Sequence, residues 1–117
     1  MDKAKRPIGR PNTYSKGLAD RICERIARGE SLRAVCSDGD MPSASTVHKW
    51  LAENQEFSEQ YAHAREEQAD HFAQDIIRIA DEVEPESAAV AKAKLQIDAR
   101  KWTAAKLAPK KYGDKID

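Results

Sequence analysis

Large apolar side chains are scarce in this chain. Leu, Ile, Val and Phe together number 19 of 117 residues, about 16 %, below the roughly 20 % under which a chain becomes suspect of disorder. Two ordinary cores are therefore excluded, and with them a multidomain enzyme. Alanine supplies another 19 residues. It is the best helix former but buries little area, so the composition describes long helices that stay marginal until they pack against something else. An oligomer is expected.

Cysteine is limited to Cys23 and Cys36, too few for a disulfide framework or a zinc motif. Each sits among apolar residues at helical spacing, which suits a small buried side chain. The five glycines are too scattered for a phosphate-cradling loop, and no Gly-Lys-Ser/Thr run occurs, which excludes nucleotide hydrolysis. His63 and His71 lie near Glu66, Glu67 and Asp70, yet Gln60 and Gln68 occupy the positions where a helix-bundle metal site needs glutamate. No metal or other cofactor is expected, and catalysis is not expected either. No apolar run approaches the roughly 18 residues of a membrane span, and the charged N-terminus has no signal-peptide core. The protein therefore reads as soluble and intracellular, without a membrane partner.

An excess of one charge is also missing, because twenty Lys and Arg balance twenty Asp and Glu. Their order is patterned. Residues 1–50 carry ten basic and six acidic side chains, residues 51–90 two and eleven, and residues 91–117 eight and three. Basic ends flanking an acidic middle can hold nucleic acid at one end while complementary blocks attract each other within or between subunits. Solvated helix faces account for the same pattern.

What is present is helical periodicity, with no strand-like alternation, and it predicts an all-α chain in four parts. Residues 1–12 form a flexible basic arm with Lys5, Arg6 and Arg10. Residues 13–54 form a helix-turn-helix domain. Its first helix carries Leu18, Ile22 and Ile26 at four-residue steps and ends at Gly29 as a left-handed cap. Ser31 caps a short second helix burying Leu32, Val35 and Cys36. Turn chemistry follows over residues 37–42, and Ser43 or Ser45 opens a third helix running through Leu51.

Residues 55–108 form a long antiparallel helical pair turning at Pro85. The first member carries a seam of Phe57, Tyr61, Ala64, Gln68, Phe72, Ile76, Ile79 and Val83. The second has two apolar stripes, one of Ala88, Ala91, Leu95, Ala99, Trp102 and Ala105, the other of Val90, Ala93, Ile97 and Ala104. Two faces imply two partners: one within the subunit and one on a neighbouring chain. Phe72, Ile76, Leu95, Ile97 and Trp102 are the candidate oligomerisation residues. Residues 109–117 read as a basic tail with no further element.

The third helix buries Val47, Trp50 and Leu51 and presents small polar and cationic side chains, as a helix entering the major groove must. Ser45, Thr46, His48 and Lys49 are candidate DNA contacts, with Arg33 on the second helix. The 37–42 turn is longer than the usual three or four residues, which leaves the docking angle open. Gly9-Arg10-Pro11 is similar to the extended hooks that place an arginine in a narrow minor groove, although a basic tail of no special role fits it as well.

These residues also resemble a family. Gly9-Arg10-Pro11, Gly29-Glu30-Ser31-Leu32, Val35-Cys36, Met41-Pro42, Ser45-Thr46-Val47, Trp50-Leu51, Ala91-Lys92-Ala93, Arg100-Lys101-Trp102 and the stretch from Pro109 to Lys115 resemble the small terminase subunits of tailed bacteriophages, above all the short-tailed type infecting enteric bacteria. The resemblance covers nearly the whole chain. It implies a non-catalytic subunit that assembles into a homo-oligomeric ring, recognises the packaging site on double-stranded DNA, and hands the DNA to a large terminase subunit with ATPase and nuclease activities in the cytoplasm of the bacterial host. In that family a strand-forming crown follows the Lys-Tyr-Gly-Asp-Lys stretch, so the sequence ending at Asp117 is expected to be a shortened form. Two rivals stand beside this reading: a helix-turn-helix transcription regulator of phage or bacterial origin, and a scaffold whose third helix binds protein.

Overall fold

Six α-helices follow one another in the computed structural model, which describes residues 10–113. They are α1 (Lys16–Ala27), α2 (Leu32–Cys36), α3 (Ala44–Glu53), α4 (Gln55–Glu82), α5 (Ser87–Leu107) and α6 (Pro109–Tyr112). No strand occurs among the described residues, and the chain is all-α. Lys5 and Arg6 of the arm lie outside the described residues. The chain divides into two units, one taking in the residues up to Ile26 together with Glu30–Ala64, the other Ala27–Gly29 with the residues from Arg65 onward.

In the first unit, side-chain caps define the helices. Gly29, which counts with the second unit, adopts a φ of +108°, which only glycine tolerates well, and the Glu30 N–H donates back to the Arg25 carbonyl at 3.2 Å to close α1. A Cβ on Gly29 would also lie 2.8 Å from the His71 ring. Ser31 Oγ accepts from the Ala34 N–H at 3.0 Å, and Ser43, rather than Ser45, caps α3 by accepting from the Thr46 N–H at 3.2 Å. Asn54 ends α3 through its own N–H and opens α4 through its side chain, which accepts from the Phe57 N–H at 2.9 Å.

The core of this unit is Ala19, Ile22, Ile26, Val35, Val47 and Trp50, joined by Met41 and Phe57. The last two depart from the sequence pattern. Residues 37–42 read as turn chemistry, yet Met41 and Pro42 are fully buried, so the turn donates its own side chains to the core. Phe57 opens the α4 seam but packs with the first unit. Its ring stands 5.9 Å from Tyr14 and 6.0 Å from Tyr61, and Tyr14 in turn meets Trp50 edge-on at 5.5 Å. Cys23 and Cys36 are buried, and burial pushes the Cys23 thiol up to about 11 and raises that of Cys36. Both are inert at neutral pH.

In the second unit α4 and α5 run antiparallel, since Ala69 packs with Ala104 and Ala108 while Asp75, farther along α4, meets Arg100 Nε at 3.5 Å. Small residues at the contact let the helices approach closely, and Phe72, Leu107 and Tyr112 fill the space around them. Of the two α5 stripes, Ala93 and Ala104 are buried and Ile97 half-buried, whereas Leu95 and Trp102 stand out at 70 % and 66 % exposure. Val90 departs from its stripe and is exposed.

Residues 109–112 form a helix where the sequence reads as a tail with no further element. Pro109 starts α6 at its first position, where a missing N–H costs nothing. The helix folds back so that the Tyr112 hydroxyl donates to Asp70 Oδ1 at 2.6 Å and Lys111 Nζ pairs with the same oxygen at 2.8 Å. These bonds, Lys111 first and Tyr112 second, hold the Asp70 carboxyl below the usual aspartate value. A depressed carboxylate contributes stability above its unfolded pKa of about 3.9 that is lost as pH falls through the folded value. Acid titration below about pH 4 is therefore expected to release α6. Tyr112 fluorescence and amide exchange at 110–113 would report the release, and Asp70→Asn should weaken the same contact at neutral pH.

Candidate nucleic-acid interface

On α3 the buried positions Val47 and Trp50 turn inward, leaving Ala44, Ser45, His48, Lys49 and Ala52 exposed on the opposite side at steps of three and four. The face carries one cation, one imidazole, one hydroxyl and two methyl groups, so a duplex can approach the backbone closely. Thr46 sits apart from it. It is half-buried, and its Oγ1 accepts from Ser43 Oγ at 3.1 Å while its N–H donates to the same oxygen. Arg33 is exposed on α2. Among the described residues neither Arg33 nor Lys49 is held in an ion pair.

The turn joining α2 to α3 is gripped by three arginines. Arg25 pairs with Asp38 and, through two nitrogens, with Glu30 at 2.6 and 3.0 Å. Arg21 reaches Asp40 at 3.0 Å. Arg10, the candidate minor-groove hook, donates from Nη1 to the carbonyls of Cys36 at 2.7 Å and Met41 at 3.3 Å. The arginine of the arm is thus engaged with the domain's own backbone. Arg21 and Arg25 carry no signal in the sequence beyond their i, i+4 spacing on α1, and reading them together with Asp38 and Asp40 would have suggested the grip.

The candidate oligomerisation residues separate into two groups. Phe72, Ile76 and Ile97 are half-buried within their own unit. Leu95 and Trp102 are exposed, and with Ala88 they follow a seven-residue step along α5 beside the exposed Ala91 and Ala99. Trp102 borders an open groove of about 600 Å³ lined by Ala73, Ile76, Asp98, Lys101, Ala105 and Tyr112. Lys106 Nζ lies 5.3 Å from the centre of the Trp102 ring. Among the described residues no cluster of His, Cys, Asp and Glu suits a metal ion, and no helix is long and apolar enough to cross a membrane.

The family model described as "Bacteriophage Sf6, terminase small subunit-like" matches residues 14–117. Among solved structures, three variants of the terminase small subunit gp1 of the bacterial virus Sf6 share this fold. An arginine-to-alanine variant is 46 % identical over 92 % of this chain and 82 % of its own, with a TM-score of 0.77. An aspartate-to-arginine variant has the same identity over 92 % and 87 % with a TM-score of 0.77. A lysine-to-glutamate variant matches over 92 % and 82 % with a TM-score of 0.78. Comparison with curated proteins gave no significant match.

Proposed function

The chain belongs to the Sf6-like terminase small subunit family, and from that premise we propose that it is the DNA-recognition subunit of a viral packaging motor. It binds packaging-site duplex through the first unit, assembles through the second into a ring, and passes the DNA to a large ATPase and nuclease subunit in the host cytoplasm, without a catalytic step of its own. The observation that carries this reading is the exposed α3 face of Ser45, His48 and Lys49, set above a buried Val47 and Trp50. Lys49 and Arg33 are available to phosphates, joined by Lys5 and Arg6 from the arm. Thr46 supports the face through the Ser43 cap. The exposed Leu95 and Trp102 stripe supplies the second surface that a ring needs.

The pairing of a weak binding module with an assembly module has a physical rationale. One small helical module neutralises few phosphates, while display on a ring raises the effective concentration of its neighbours. Arg33→Ala with Lys49→Ala is expected to weaken duplex binding and to reduce the log-log salt slope by about 0.9 for each phosphate left without its cation. Circular dichroism should stay unchanged, because both side chains are exposed. Unchanged affinity and slope would favour a protein partner for α3. Native mass spectrometry separates the ring from a dimeric transcription regulator.

A further inference from the structure

The geometry points to Arg10 as a positioning residue that sets the angle at which α3 is presented, and not as a contact to DNA. This rests on the reading that the α3 face meets duplex. Cys36 is the last residue of α2, and its carbonyl belongs to the group that an α-helix leaves without an internal partner. Met41 lies two residues before Ser43, the cap of α3, and its side chain is 1 % exposed. One guanidinium nitrogen therefore bridges the end of α2 and the entrance to α3.

The six-residue turn needs such a bridge. The loop's own N–H groups from Ser37, Asp38 and Met41 go to the carbonyls of Ala34, Val35 and Asp38, and the carbonyls of Cys36 and Met41 receive Arg10. A turn longer than the usual three or four residues has more conformations to lose, so α3 keeps a single angle only if both of its ends are tied. The Arg21–Asp40 pair is an exposed surface pair and contributes little by itself, and the Arg25–Asp38 pair fastens the middle of the turn to α1 without reaching either of its ends. The bonds from Arg10 are charge-assisted and directed at backbone, which makes them the stronger constraint. Lysine preserves the charge, but its ammonium ends one bond short of the position of Nη1.

The test uses the intact chain with Arg10→Lys and Arg10→Ala. The probe is a duplex enriched by the unmodified protein from a random-sequence pool, set against a scrambled duplex of equal composition. Both variants are expected to lose preference for the enriched duplex by about tenfold, comparable to one good base contact. Their salt slopes should match the parent, and amide exchange should quicken at residues 37–43 but not in α1 or α5. A slope that falls by about 0.9 in Arg10→Ala and returns in Arg10→Lys would instead make Arg10 a phosphate contact and overturn the proposal. Unchanged preference in both variants would also overturn it, as would unchanged exchange in the turn. If the unmodified protein enriches no duplex at all, the DNA reading itself falls, and exchange at 37–43 still reports whether Arg10 ties the turn.

Discussion

Phe57→Ala is expected to unfold the first unit while α5 keeps its helicity. Phe57 is completely buried and touches the rings of Tyr14 and Tyr61. Truncating a buried phenylalanine to alanine costs about 3–5 kcal/mol. A unit of this size has only about 3–8 kcal/mol of stability to lose. The two ranges overlap, so one substitution brings the domain to its midpoint or past it. Phe57 also decides where the chain can be cut. A piece ending at Asn54 discards Phe57 and leaves Tyr14 and Trp50 against solvent, whereas a piece ending at Ala64 keeps the aromatic cluster. The longer piece is expected to show a cooperative melt and weak monomeric duplex binding, and the shorter one neither. A cooperative melt from the shorter piece would show that Val47 and Trp50 close the core without Phe57.

Trp102→Ala is expected to lower the assembly state with little change in helix content. At 66 % exposure in the single chain, the indole has few neighbours whose packing its removal would disturb. Its area becomes buried only when another chain covers the Leu95 stripe. Aromatic anchors of this kind contribute about 2 kcal/mol or more at an interface, which is roughly 30-fold in the dissociation constant of each junction. In the proposed ring every subunit would carry the lesion, so the weakening would recur around the whole assembly. Light scattering at micromolar concentration should show smaller particles, with a circular dichroism spectrum like that of the parent. A full-sized particle together with a lowered melting temperature would instead place Trp102 in the packing of its own subunit.

The sequence by itself determined the first five helices, because caps and periodicity act over a few residues. Ser31 begins α2, Gly29 closes α1, and the Leu18, Ile22 and Ile26 ladder forms the first helix, each by local hydrogen bonding or a 3.6-residue repeat. The two stripes of α5 were legible for the same reason. Tertiary structure decided which stripe faced inward, burying Ala93 and Ala104, the second of which packs against Ala69 on α4. It also decided matters that depend on residues far apart in the chain. Met41 became core because α2 and α3 close around the turn. Phe57 joined the first unit because Tyr14, 43 positions earlier, reaches it. Pro109, a stop signal for α5, became the start of α6 because Tyr112 finds Asp70, 42 residues away. Arg10 is the sharpest case. Its charge and proline-flanked setting suggest an arm reaching for DNA, yet the carbonyls of Cys36 and Met41 lie 26 and 31 residues beyond it. A hydrogen-bond acceptor on a backbone carbonyl has no signature in residue type, so only the folded chain could reveal where that guanidinium goes.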